Sequence, residues 1–376
     1  MERRKFKDGL DISLLGFGTM RFPVDDGKPS SINVEKSYEM LDYAFEHGVN
    51  YFDTAYMYHD NASEKFTGKA LARYPREKFH LATKLPPWNI KKEEDLQRLF
   101  DEQLKNCGVD YFDFYLLHCI TRSTLPMFEK YDAYGFLREQ QKKGKLRYLG
   151  FSIHDSTALM EELLGKYDFD FGQIQLNYLD WDQLDSKGLY EALHSRNIPA
   201  IIMEPVRGGT LASLPPEPAK ILEQANPEHS QASWAMRYAA DLPGVLTVLS
   251  GMSTLEQVKD NVASYSPLSP LTAKERGAID QAVVAYRKNS AIPCTACGYC
   301  MPCPVGVDIP ESIGLYNLLK SNGNLEQFCV EYVHIGKGSQ PEDCTSCGAC
   351  LELCPQHIDI PGWMGEITRT LKDAES

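Results

Sequence analysis

Asn50-Tyr51-Phe52-Asp53-Thr54-Ala55 is a short apolar run that closes on an acid and two small residues, and a helical pattern precedes it. Asn33-Val34-Glu35-Lys36 opens that pattern, Tyr38, Leu41, Ala44 and Phe45 recur at helical spacing, and Gly48 stops it. The same alternation continues on both sides. Strand-like runs stand at residues 13–18, 79–84, 112–118, 146–152, 172–176, 200–204 and 245–251. Between them lie amphipathic stretches such as residues 93–107, where Leu96, Leu99, Phe100 and Leu104 form one stripe and Gly108 follows. Eight strand runs joined by crossover helices predict parallel strands, hence an α/β fold of the (β/α)8 TIM barrel type. The last barrel helix is expected over residues 254–264, before Pro267 and Pro270 break the chain. A further helix is expected over 272–288, and the cysteines begin beyond it. This divides the chain into a barrel over residues 1–290 and a small helical domain over 291–376.

Composition narrows the function classes. The 376 residues are 43% hydrophobic and 24% charged, values of a globular chain. No stretch approaches the roughly 20 apolar residues of a membrane span. Met1-Glu2-Arg3-Arg4-Lys5 has the charge of a signal peptide without an apolar core behind it, so the expected location is the cytoplasm. A net charge of −13 argues against nucleic acid as a partner. Residues 291–376 hold four Lys and Arg against eleven Asp and Glu, a net of −7. Ordinary solubility accounts for such a charge; a docking face for a basic redox partner is the sharper alternative.

Nine of the eleven cysteines follow residue 290, leaving Cys107 and Cys119 before it. One block is Cys294-x2-Cys297-x2-Cys300-x2-Cys303-Pro304; the other is Cys344-x2-Cys347-x2-Cys350-x3-Cys354-Pro355. Three thiolates at this spacing wrap one cubane while the fourth, followed by Pro, turns to the neighbouring cluster. Zinc needs only two CxxC pairs per ion and gives no reason for the triplet or for the trailing Cys-Pro. Cys303-Pro-Val-Gly-Val-Asp-Ile-Pro310 also matches Cys354-Pro-Gln-His-Ile-Asp-Ile-Pro361, an internal duplication. This tail resembles two-cluster ferredoxins of the α-helical type. The resemblance implies two [4Fe–4S] clusters, one held by Cys294, Cys297, Cys300 and Cys354, the other by Cys344, Cys347, Cys350 and Cys303. The first block has two residues before its fourth cysteine where the usual pattern has three, which bears on that partition and not on the total of eight ligands. Cys107, Cys119 and Cys329 fall outside the pattern.

In the barrel, Tyr51-Phe52-Asp53-Thr54-Ala55-Tyr56-Met57-Tyr58, with Ser63-Glu64 and Gly68-Lys69-Ala70-Leu71 after it, resembles the aldo/keto reductase family. Lys84 closes Leu81-Ala82-Thr83-Lys84 and His118 closes Tyr115-Leu116-Leu117-His118, the other two family positions in order. Carbonyl reduction asks for these residue types. A Tyr supplies the proton for the forming alkoxide, a Lys⁺ lowers its pKa, an Asp⁻ holds the Lys, and a neutral His polarises the carbonyl. Tyr58 is thus the expected general acid, Lys84 its activator, Asp53 the orienter of Lys84 and His118 the carbonyl polariser. The resemblance further implies Thr19 and Met20 near a nicotinamide, Ser152 and Gln175 at its carboxamide, and the loop at Arg207 beside the pyrophosphate. Gly251, Gln257 and Asn261 would hold the adenosine end. Ile153 stands where many relatives have Asn, Met203 replaces an aromatic, and no basic residue occupies Ser253, so NADP and NAD both remain open. His154 either projects into the pocket mouth or is an exposed polar residue, the latter being the expectation.

The expected protein is a nicotinamide-dependent oxidoreductase that interconverts a small-molecule carbonyl and an alcohol. Its clusters either carry electrons or act as structural staples. The alternative is an iron–sulfur electron-transfer protein whose barrel is a scaffold or docking domain. An intact set of Tyr58, Lys84, Asp53 and His118 disfavours it.

Overall fold

The structure, a computed structural model, describes residues 1–289 and 292–375. Eight parallel strands close into a barrel: β3 (Leu15–Gly18), β4 (Tyr51–Asp53), β5 (His80–Leu85), β6 (Phe112–Ile120), β7 (Leu146–Ile153), β8 (Phe171–Gln175), β9 (Ala200–Met203) and β10 (Val245–Gly251). β10 pairs with β3 to complete the ring. Ahead of it β1 (Arg3–Lys5) and β2 (Asp11–Ser13) form an antiparallel hairpin. Phe6 and Ile12 of that segment pack with Tyr51, Phe114, Tyr148 and Phe171, residues near the strands' beginnings, so the hairpin plugs the barrel's N-terminal end. Chemistry is left to the opposite mouth, where the strands finish.

The helices begin where their caps dictate. Asn33 accepts from Lys36 N at 2.9 Å at the head of Val34–Glu46, and Thr254 accepts from Gln257 N at 3.3 Å at the head of Leu255–Ser264. Glu94–Cys107 ends on Gly108 at φ +62°, a left-handed conformation that a Cβ would strain.

Two compact units divide the chain differently from the sequence. One comprises Met1–Pro205 with Ala235–Leu271; the other comprises Val206–Trp234 with Thr272–Ser376. The predicted boundary at residue 290 itself lies outside the described residues, and packing draws the line earlier. The helix Pro216–Ala225, inserted between β9 and β10, packs along Ala273–Asn289. Glu275 ties the two, accepting from Asn226 Nδ2 at 3.4 Å and lying 3.7 Å from His229 Nε2. A periodicity read along the chain cannot show that an insertion and a terminal helix share one face.

The second unit has its own core, with Val307, Ile309, Ile313, Tyr316, Met364 and Ile367 at its centre. The duplicated Asp-Ile-Pro acquires a physical meaning here. Asp308 accepts from Glu311 N at 3.1 Å and starts Ile309–Asn322; Asp359 accepts from Gly362 N at 3.2 Å and starts Ile360–Glu375. Each copy is an acidic cap followed by Ile and a first-turn Pro, a helix start that costs no backbone hydrogen bond. Among the described residues no helix is long and apolar enough to cross a membrane.

Candidate active site and cluster cages

The C-terminal strand ends gather the expected quartet. Lys84, on β5, is fully buried, and its Nζ donates to Asp53 Oδ1 at 2.6 Å and to the Thr54 carbonyl at 2.8 Å. The turn after β4 runs through left-handed His59, Asp60 and Asn61 before the helix Ser63–Leu71. It sets the Tyr58 ring 5.0 Å from Lys84 Nζ and 6.2 Å from the His118 ring, centroid to centroid. Trp88 stands edge-on to His118 at 5.6 Å.

Burial governs the protonation states. It pushes the Asp53 carboxyl up and the Lys84 ammonium down from their ordinary values, and the contact between the two opposes both shifts. His118 is held well below the usual histidine range by burial, then by Lys84 and His154, so its imidazole is neutral. Tyr58 is held well above the usual tyrosine range by burial, then by Asp53, Glu204 and Cys119. Burial is the largest cause, and the Lys84 charge is matched by Asp53 at contact distance. The phenol keeps its proton.

Several residues at this mouth escaped the sequence. Glu204 follows β9 in a left-handed conformation, φ +56°, and is half-buried. Cys119 follows His118 at φ +53°, where the pairing of β6 with β7 slips after Leu117. His154 is buried rather than exposed, its backbone N donating to the Ile120 carbonyl at 3.0 Å, and burial takes its pKa down to about 4. Glu64, noted only as part of a motif, braces the Lys84 strand. It accepts from Thr83 Oγ1 at 2.7 Å and from Gln103 Nε2 at 2.6 Å, while Gln103 also donates to the Lys84 carbonyl at 3.0 Å.

The proposed cofactor contacts fall in three groups. Thr19 and Ser152 are buried in hydrogen bonds, the first to Ser63 Oγ at 2.9 Å, the second accepting from Cys119 N at 2.8 Å; Met20 is half-buried beside Thr19. Gln175 donates to Asp180 Oδ2 at 2.9 Å. At the end of β10, Asn261 donates to Ser250 Oγ at 3.0 Å and Gln257 accepts from Ser253 N at 2.7 Å. Here a basic side chain does stand close by: a Cβ on Gly251 would lie 3.0 Å from Arg21 Cγ, and Ser253 Oγ donates to the Arg21 carbonyl at 2.8 Å. Arg21 sits 230 positions from this turn in sequence, so no local motif could reveal it. Arg207 is buried in the other unit, and its neighbour Gly208 packs on the first cysteine block.

None of the eleven cysteines forms a disulfide. Cys294, Cys297, Cys300 and Cys354 line one small cavity, and Cys303, Cys344, Cys347 and Cys350 line another. Each block lends its last cysteine to the other's cage. Ile309 and Ile360, the isoleucines of the duplicated Asp-Ile-Pro, line both cavities. Burial and the neighbouring Cys297, Cys294 and Cys354 push the Cys300 thiol up to about 12; burial, and the thiols of Cys344, Cys303 and Cys347, also raise Cys350. Four thiolates could not share such a space without cations among them. A ring of thiols around a cavity fits a multi-atom cluster better than a lone zinc, whose sulfurs approach to about 2.3 Å.

A parallel eight-stranded barrel with these groups at its C-terminal mouth defines an oxidoreductase of aldo/keto reductase type. The chain belongs to the aldo/keto reductase family, whose model matches residues 14–284, and a 4Fe-4S dicluster domain matches residues 293–358. It is 27% identical to L-galactose dehydrogenase of Arabidopsis thaliana over 70% of this chain and 90% of that protein. It is 34% identical to a probable aldo-keto reductase of Glycine max over a shorter stretch, 41% of this chain and 49% of the other. An aldo-keto reductase from Bacillus halodurans, solved in its holo form, superposes with a TM-score of 0.62 at 27% identity, over 75% of this chain and 96% of that one. An aldo-keto reductase from Klebsiella pneumoniae, solved with NADPH, shares the fold at 21% identity and a TM-score of 0.60, over 75% of this chain and 95% of that one.

Proposed function

We propose that the protein is an NAD(P)H-dependent oxidoreductase that interconverts a small-molecule carbonyl and its alcohol, and that its tail holds two [4Fe–4S] clusters. The observation that carries the barrel half is the convergence of Tyr58 and His118 on the buried Lys84–Asp53 pair. A bound nicotinamide dinucleotide supplies the hydride. The neutral His118 imidazole orients the carbonyl oxygen, and Tyr58, kept protonated, donates its phenolic proton to the oxygen as negative charge develops there. Lys84, fixed by Asp53 and the Thr54 carbonyl, places a positive charge beside the Tyr58 ring, where it offsets the phenolate left after proton transfer.

The turn after β10 fits a phosphate-bearing cofactor: the ten-residue helix Leu255–Ser264 presents its N-terminal amides beside Arg21. Gly251, Gln257 and Asn261 would hold the adenosine end there, with Arg21 selecting a 2′-phosphate; Thr19, Met20, Ser152 and Gln175 would meet the nicotinamide, and Arg207 the pyrophosphate. Cys294, Cys297, Cys300 and Cys354 would hold one cluster and Cys303, Cys344, Cys347 and Cys350 the other, as one-electron stores. Cysteines in such density without a disulfide suit a reducing compartment, the cytoplasm. The functional division then falls near residue 290, although packing divides the chain elsewhere.

The test is NAD(P)H oxidation against a panel of aldehydes and ketones by anaerobically prepared protein. Tyr58→Phe should bind the cofactor unchanged and lose about 10²-fold or more in turnover, the scale of general acid catalysis. Turnover within a few-fold of the parent would overturn the assignment.

A further inference from the structure

The two cysteine loops have nearly the same ligand spacing and opposite exposure. No residue between Ile292 and Met301 is exposed. One reason lies in the turn at Arg207–Ala212: Gly208, at φ +62°, packs so tightly that a Cβ there would fall 2.2 Å from the Thr295 carbonyl oxygen and 3.1 Å from Ala296 Cβ. In the second loop every residue from Thr345 to Leu353 is exposed except Gly348 and Cys350. Cys347 is the one exposed thiol among the eight cage cysteines. Aliphatic side chains of this region are left in water: Leu351, beside Gly348, is 41% exposed, Val305, which lines the same cage, 36%, and Leu353, later in the loop, 40%. Residues 338–366 include five carboxylates and no Lys or Arg.

We propose that the loop 345–353 is the port through which the cluster held by Cys303, Cys344, Cys347 and Cys350 exchanges single electrons with a separate carrier protein, one whose own redox centre is ringed by Lys and Arg. The inference rests on the cluster assignment above. A small apolar contact inside a charged rim is the anatomy of a transient redox encounter, which buries little area and is steered by charge. The acidic stretch makes the fitting partner basic. In the transfer one electron leaves the reduced cluster and reduces the carrier's one-electron centre by one; no proton or bond is exchanged. The loop 292–301 of the other cage has no exposed residue and is packed by Gly208.

The experiment uses full-length protein, reduced anaerobically with dithionite, freed of excess reductant and mixed with ferricytochrome c, a basic one-electron haem protein. Haem reduction is followed at increasing salt. Glu342→Lys with Glu352→Lys should slow the reaction about tenfold at low salt, the scale of electrostatic steering, and converge on the parent at high salt. Glu326→Lys with Glu331→Lys, the same charge change on the exposed helix Leu325–His334, should leave it unchanged. A small uncharged quinone should oxidise all three proteins equally fast. Iron, sulfide and paramagnetic resonance measured on each protein first separate the two readings. A parent without about eight irons sinks the cluster assignment itself. Full clusters with an unslowed port variant, a control slowed as much, or equal slowing with the quinone overturns the port. So does a parent that sediments as a dimer which Glu342→Lys with Glu352→Lys dissociates, a result that would make this face a contact between copies. If the double reversal fails to hold iron, Glu352→Gln gives the same comparison with a smaller expected slowing.

Discussion

The barrel mouth and the cysteine cages build their sites by opposite means. At the mouth, residues from Asp53 to Glu204 are brought together by a closed sheet, and the polypeptide itself satisfies the central charge: Lys84 is bonded to Asp53 and Thr54. In the cages eight thiols face two cavities, and Cys300 and Cys350 are made harder to ionise by burial and by one another's neighbours. One site is organised by the chain; the other, on the proposed cluster assignment, is finished by its metal.

The largest effect that tests this contrast is removal of iron. Anaerobic chelation should melt the helices Ile309–Asn322 and Ile360–Glu375, seen as lost far-ultraviolet dichroism, while the barrel's unfolding transition stays where it was. A tail that keeps its helices without iron would erase the distinction. Next is Lys84→Met, which strands the Asp53 carboxylate inside the barrel and should cost about 3–5 kcal/mol of stability in denaturant titrations. Iron content should stay at the parent level, because the barrel's electrostatics and the cages are independent in this picture.

Acid should also act on the barrel. The folded-state pKa of His154, about 4, lies below the ordinary value of 6.5, so the unfolded chain takes up the proton first. Stability is therefore intact above pH 6.5 and falls as pH drops toward 4, by up to about 3 kcal/mol from this residue. His154→Gln should flatten that part of the stability profile; a variant with the parent's slope would show that His154 is not held neutral. The smallest effect sharpens the comparison within the tail. Asp359→Ala removes the cap of Ile360–Glu375 and should cost about 1 kcal/mol in the iron-loaded protein, read as a lower melting temperature of the tail.

How far each region could be read from sequence follows from the same contrast. Within each block the cage cysteines lie three or four positions apart, so spacing alone proposes them, and the duplicated Asp-Ile-Pro marks where each helix starts. Barrel strands were legible where the backbone is regular: residues 245–251 form β10 as expected. They were not where it turns left-handed. β9 stops one residue short because Glu204 leaves the strand at φ +56°, and β6 runs two residues past His118 through a slipped register. His154 looked exposed because it is polar and follows a strand, yet the ladder carries it inside against Ile120. Arg21 and the segment 206–234 needed contacts across the chain that no periodicity encodes.

Glu204 also sets stability against activity. A non-glycine residue in the left-handed region costs on the order of 1–2 kcal/mol, a strain that glycine at this position would relieve. A library of variants screened for heat resistance alone would therefore favour glycine at residue 204. The same replacement would delete the carboxylate that bears on Tyr58 and loosen the path of the chain into Pro205, so the most heat-resistant clones should be the ones whose Tyr58 phenol ionises most readily.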